Sequence, residues 1–173
     1  MKKTIYIFLI LAMIIPVSTL YGQNLNLNKT PKKEHLAAAK ELAKKIFDNL
    51  ANKNHQEIAN FIVDNIGFNW DESRRISSRN DYLSKLEILS LKPPMGVFGD
   101  LFGYDLIEEA FLMGSDRYFR HTYLSYHEGS LLIWEFRFYV NKDGNTTLHY
   151  IGWSDNNPFE YMSTPDMVLP RYN

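Results

Sequence analysis

An α+β fold, with helices first and an antiparallel sheet after them, is what this 173-residue sequence predicts. Three observations carry that expectation. Apolar residues between Leu36 and Leu89 recur at steps of three and four, the period of helices that bury one face. From Glu108 the period falls to two, and aromatic and β-branched residues dominate, as on half-buried strands. The links between these later segments are short and carry glycine, so neighbouring strands run antiparallel. Helices followed by a run of strands is the α+β order, distinct from the alternation of an α/β sheet.

The elements follow in chain order. Residues 1–22 read as a cleavable export signal and stand apart from the fold. Lys2 and Lys3 precede an almost wholly apolar run over 5–17, and Gly22 is a small residue suited to precede the cut. That run is shorter than the roughly 18 to 20 residues needed to span a bilayer, and Pro16 interrupts it. Residues 23–31 form a polar spacer in which Thr30 and Pro31 suit the start of a helix. Leu36, Ala39, Ala43, Ile46, Phe47 and Leu50 then give the clearest amphipathic stripe. Asn54 and Glu57 make a capping-box-like start for a second helix with the stripe Ile58, Phe61, Ile62 and Ile66. Gly67 ends it, in the place where a left-handed residue is wanted. A third helix is expected from Ser78, burying Tyr82, Leu83, Leu86 and Leu89 before Pro93 and Pro94 stop it. Strands are expected over 108–113, 117–127, 130–140 and 146–154, as a meander packed against the helices. One α+β domain over 32–156 and a tail over 157–173 complete the division.

Composition bounds the partners. Removing residues 1–22 takes Lys2 and Lys3, leaving 19 − 2 = 17 basic against 20 acidic side chains, a net charge of −3. A weakly acidic chain lacks the concentrated basic face that nucleic acid calls for. The sequence holds no cysteine, so disulfides, thiolate ligands and lipidation of an N-terminal cysteine are excluded. Export without disulfides points to a bacterial periplasmic or secreted protein.

Hairpin arithmetic predicts which side chains face inward. A two-residue loop at Glu128-Gly129 sets Tyr123 opposite Trp134, His121 opposite Phe136 and Phe119 opposite Phe138. Leu132, Trp134, Phe136 and Phe138 then form the face that packs on the helices, with His121 and Tyr123 among them. The other face carries Tyr118, Arg120, Arg137 and Tyr139, a mixture of aromatic and arginine residues typical of interfaces. A Ser115-Asp116 turn would set Ala110 by His121 and Glu108 by Tyr123. The run Asn141-Lys142-Asp143-Gly144 suits a type I turn closed by a left-handed glycine, with Leu148 and Tyr150 inward. A slip of one residue would turn each of these side chains to the opposite face.

This outline, with the runs Arg117 to Tyr123, Trp134 to Tyr139 and Gly152-Trp153, resembles small exported members of the nuclear-transport-factor-2-like, cystatin-like cone superfamily. The resemblance implies a curved sheet around the helices and a conical pocket open at one end. It also implies isomerases, dehydratases or non-catalytic binding modules as functions, and sheet-to-sheet dimers. The aspartate base and tyrosine-containing oxyanion hole of its isomerases match no position here, so no catalytic residue is carried over, and fold alone does not decide function.

The chemistry on offer is modest. His121, with Tyr123 and Glu108, is the candidate catalytic constellation, since a histidine on an apolar face can be tuned as an acid or base. The plainer reading is a core histidine. His121, Tyr123, Trp134, Phe136 and Tyr150 are the candidate lining of a pocket for a small apolar ligand. The five histidines are scattered without metal spacing, no serine stands in a Gly-x-Ser-x-Gly elbow, and no cofactor motif occurs. Gly96, Gly99 and Gly103 with Phe98, Leu101 and Phe102 form a packed connection or a pocket lid. Arg74, Arg75 and Arg79 form a solvated face or an anion site. Two readings therefore stand: an exported non-catalytic binding or interaction module, and a small isomerase-, dehydratase- or hydrolase-like enzyme.

Overall fold

The computed structural model describes residues 28–158 and the backbone of 168–171. The signal segment 1–22, its cut after Gly22 and most of the tail lie outside the described residues. The expected α+β order holds. Three helices, α1 (Lys33–Ala51), α2 (His55–Ile66) and α3 (Glu72–Leu89), precede β1 (Leu101–Leu112), β2 (Tyr118–His127), β3 (Leu131–Val140) and β4 (Thr146–Ser154). A fifth short strand, β5 (Val168–Arg171), falls in the stretch assigned to the tail and pairs with β1. The sheet is antiparallel in the order β4-β3-β2-β1-β5, so β4 is one of its edges.

Each helix buries the centre of the stripe its spacing demands, while Leu36, Phe61, Ile66, Tyr82 and Leu83 are only partly buried against the core. Ala39, Ala43, Ile46, Phe47 and Leu50 of α1 are buried, as are Ile58 and Ile62 of α2 and Leu86 and Leu89 of α3. Helix starts are less regular than the caps suggested. α1 begins two residues beyond Pro31, and Asn54 makes no side-chain cap bond at α2. α3 starts at Glu72 rather than Ser78, because the Asp71 carboxylate accepts the Arg74 N–H at 2.9 Å. Gly67 is not left-handed, with φ at −94°. A methyl group there would lie 2.7 Å from the Trp70 ring, so glycine serves close packing instead.

The β2–β3 register follows the hairpin arithmetic, with His121 opposite Phe136, Tyr123 opposite Trp134 and Phe119 opposite Phe138. Gly144 is left-handed (φ 83°), closing the Asn141 turn as expected. Two other registers differ. The β1–β2 pairing is one residue off, because the connection between Phe111 and Phe119 is not a two-residue loop, and Glu109 rather than Ala110 lies opposite His121. Glu108 therefore lies opposite Thr122 on the far face. In β4, an extra residue at His149 breaks the period. Leu148 stays opposite Phe138, but Tyr150 falls opposite Arg137 and faces away from the helices. β1 also starts at Leu101, well before Glu108, and register shifts at 101–103 and 106–108 hide its alternation in the sequence.

Phe47 sits at the centre of the core. Its ring lies 5.7 Å from Phe136, 5.3 Å from Tyr123 and 4.2 Å from Tyr104, tying α1 to three strands. Burying one such ring contributes on the order of 2 to 3 kcal/mol.

Candidate functional site

The expected pocket lining is core. His121, Trp134 and Phe136 are wholly buried and Tyr123 nearly so, while Tyr150 is exposed on the other face. The His121 ring is enclosed by Phe119 at 5.4 Å, Phe138 at 5.2 Å and Tyr123 at 6.3 Å. Neither of its nitrogens has a hydrogen-bond partner among the described residues. Burial, aided by the Lys40 ammonium, pushes its pKa down to about 3, so the imidazole is neutral at neutral pH. The carboxylate near it is Glu109, with Oε1 3.6 Å from His121 Nε2 and 2.9 Å from Lys40 Nζ. Burial likewise raises the Tyr123 hydroxyl pKa, keeping it protonated.

The trio His121, Tyr123 and Glu108 is thus not assembled. Glu108 Oε2 instead accepts from Arg120 at 2.7 Å and from the Thr122 hydroxyl at 3.1 Å. On the same face Arg137 donates to Glu135 and lies over the Tyr150 ring, 4.5 Å from its centre. Of the four interface candidates, Tyr118 and Arg120 are half-buried, and Arg137 and Tyr139 are exposed.

A second buried network escaped the sequence reading. Trp134 donates its indole N–H to Ser125 Oγ at 2.8 Å, and that oxygen lies 3.0 Å from His127 Nε2. His127 Nδ1 meets the Gly99 carbonyl oxygen at 3.1 Å. A carbonyl only accepts, so Nδ1 carries the proton and Ser125 donates to Nε2. The pattern resembles an activated serine, yet Ser125 is wholly buried. Its work is structural: through His127 and the Gly99 carbonyl it fastens the connection before β1 to the strands, and in the glycine-aromatic segment Phe98 and Leu101 pack on the core while Phe102 is exposed. The signal was Ser125 and His127 two apart on one strand, diagonal to Trp134. The arginine cluster is also structural. Arg75 reaches Asp64 at 2.7 Å and the Gly67 carbonyl at 2.9 Å, and Arg79 reaches Asp64 at 3.1 Å, joining α2 to α3.

Two surface clefts share Trp70 as a wall. One, of about 520 Å³, lies between α3 and the edge strand β4, with Trp70, Tyr82 and Trp153 beside Ser78, Asp81 and Lys85. The other, about 600 Å³, is lined by Ile66, Phe68, Tyr139, Asn141, Leu148 and His149 among others. Neither includes His121, Tyr123, Trp134 or Phe136. The sequence reading placed Tyr82 in the core and left Trp70 out. The available signal was the step Ser78, Asp81, Tyr82, Lys85, which sets four side chains along one side of α3. Among the described residues no group of acidic and histidine side chains is arranged to hold a metal ion, and no helix is long and apolar enough to cross a membrane. Protein-family models, curated proteins and solved structures give no match to this chain.

Proposed function

We propose that the chain is an exported, non-catalytic binding module that holds a small ligand in the cleft between α3 and β4. One observation carries the reading: three half-exposed aromatic rings, Trp70, Tyr82 and Trp153, converge there with polar groups at the rim. Concave sites with apolar walls and a few placed polar groups are where small molecules bind. The sheet interior, by contrast, is filled with side chains. The chain has three tryptophans, so indole N–H resonances report the location directly. A fragment library screened by NMR should move Trp70 and Trp153 most. Fragments that moved His121 and Trp134 while sparing Trp70 and Tyr82 would place the site in the interior and overturn the reading.

The outer sheet face supports a compatible second contact, with another copy of the chain. Tyr139, Tyr150 and Arg137 are exposed there, and both arginines are already paired with carboxylates. Such a face meets itself without net repulsion. Light scattering should show a dimer that Tyr139→Asp converts to monomer, and a monomeric native chain would exclude the contact.

A further inference from the structure

We infer that the cleft between α3 and β4 is a saccharide site, in which an uncharged sugar ring stacks on Trp153 and Tyr82 and its hydroxyls meet Ser78, Asp81 and Lys85. The inference rests on the cleft being the binding site and adds the class of ligand.

The aromatic geometry is the first support. The Trp153 and Tyr82 rings stand 6.4 Å apart at 49° to one another, so they open as a wedge rather than covering each other. An aromatic face is electron-rich and attracts weakly positive C–H groups. A pyranose presents a flat face of such groups together with a rim of hydroxyls. The rings are also fixed before any ligand arrives. Trp153 rests against the buried Trp134 at 4.9 Å, and Trp70 packs on Gly67 with the Arg74 guanidinium 4.3 Å above its ring. Preorganised walls reduce the ordering cost of binding.

The polar groups supply both hydrogen-bonding roles. Asp81 accepts, Lys85 donates, and the Ser78 and Tyr82 hydroxyls do either, as a polyol requires. Burial raises the pKa of Tyr82, so its hydroxyl stays protonated.

Charge then selects among ligands. Asp81 and Lys85 are joined at 2.7 Å, so each cancels the other. A quaternary ammonium would find rings but no unpaired carboxylate, and would meet Lys85 and Arg74 nearby. An anion would meet Asp81. An uncharged ligand rich in hydroxyls is the class this balance leaves favoured.

The test titrates the mature chain with maltotriose, cellotriose and fully N-acetylated chitotriose, with choline and glucose 6-phosphate as charged comparators. Calorimetry gives affinity and the indole N–H resonances give location. At least one trisaccharide should bind saturably and shift Trp70 and Trp153. Tyr82→Ala should weaken it tenfold or more with the Trp134 resonance in place, while Trp153→Phe should retain most of the affinity. Binding of choline or glucose 6-phosphate alone at these indoles would overturn the uncharged-saccharide class and leave the cleft standing. Sugar binding insensitive to Tyr82→Ala would overturn the cleft itself. If no trisaccharide shifts either indole, the inference falls, and the fragment screen decides the cleft separately.

Discussion

At the scale of single residues, burial decides what the histidines do. His121 stays neutral in the folded chain down to about pH 3, whereas an unfolded imidazole takes up its proton near 6.5. The unfolded state therefore binds more protons between those values, and stability falls as pH falls through that window. From pH 7.5 to 5 the loss from this one group is about 2 kcal/mol. Urea unfolding at pH 7.5 and pH 5 should show it, and His121→Phe should remove that share of the pH dependence. Since both ring nitrogens lack partners, the same variant should keep or raise stability at pH 7.5. A variant as pH-sensitive as the native chain would mean the ring is not buried neutral. Ser125 makes the opposite case, because every partner in its network is used. Ser125→Ala strands the Trp134 N–H and the His127 nitrogen and should cost about 1 to 3 kcal/mol, with a displaced Trp134 resonance. An unmoved resonance would show that the network is not closed.

At the scale of elements, register determines which chemistry meets. The short Glu128-Gly129 hairpin sets Trp134, Phe136 and Phe138 inward, and Phe136→Ala should cost roughly 3 to 5 kcal/mol in denaturant unfolding. A loss below about 1 kcal/mol, the ordinary scale for surface changes, would mean the face is misassigned. One residue of slip in the β1–β2 hairpin puts Glu109 rather than Ala110 opposite His121, and a single bulge at His149 turns Tyr150 outward. Gly67 tests the packing of α2 on the loop that follows it. Its φ is open to any residue, but an added methyl would meet both the Trp70 ring and the Val63 carbonyl at 2.7 Å. Gly67→Ala should therefore destabilise by about 1 to 3 kcal/mol and shift the Trp70 indole, as overpacking does. A neutral Gly67→Ala would show that the contact relaxes freely.

At the scale of the whole molecule, the core and the surface divide the labour. The interior joins α1 to β1, β2 and β3 through Phe47 and ties Ser125, His127 and Trp134 into one network, while α3 and the edge strand β4 frame the cleft lined by Trp70, Tyr82 and Trp153. Export is the reading of residues 1–22, and it predicts a mature chain beginning at or close to Gln23 outside the cytoplasm. N-terminal sequencing of the exported fraction tests this, and a chain still starting at Met1 would refute it.

What the sequence determined by itself was local. The three-four steps of Leu36 to Leu50, the period of two in Trp134 to Phe138, and the glycine turns at 129 and 144 follow from backbone geometry and burial within a few residues. They were enough for the α+β class, the helix stripes and one strand register. The bulges in β1 and β4 were hidden because an inserted residue shifts alternation without leaving a mark in composition. The candidate site was hidden for a deeper reason. Trp70, Tyr82 and Trp153 come from a loop, a helix and an edge strand, each carrying a pattern that reads equally well as core. Only packing α3 beside β4 decides that these rings face a shared cleft, and only the enclosure by Phe119, Phe138 and Tyr123 decides that His121 does not.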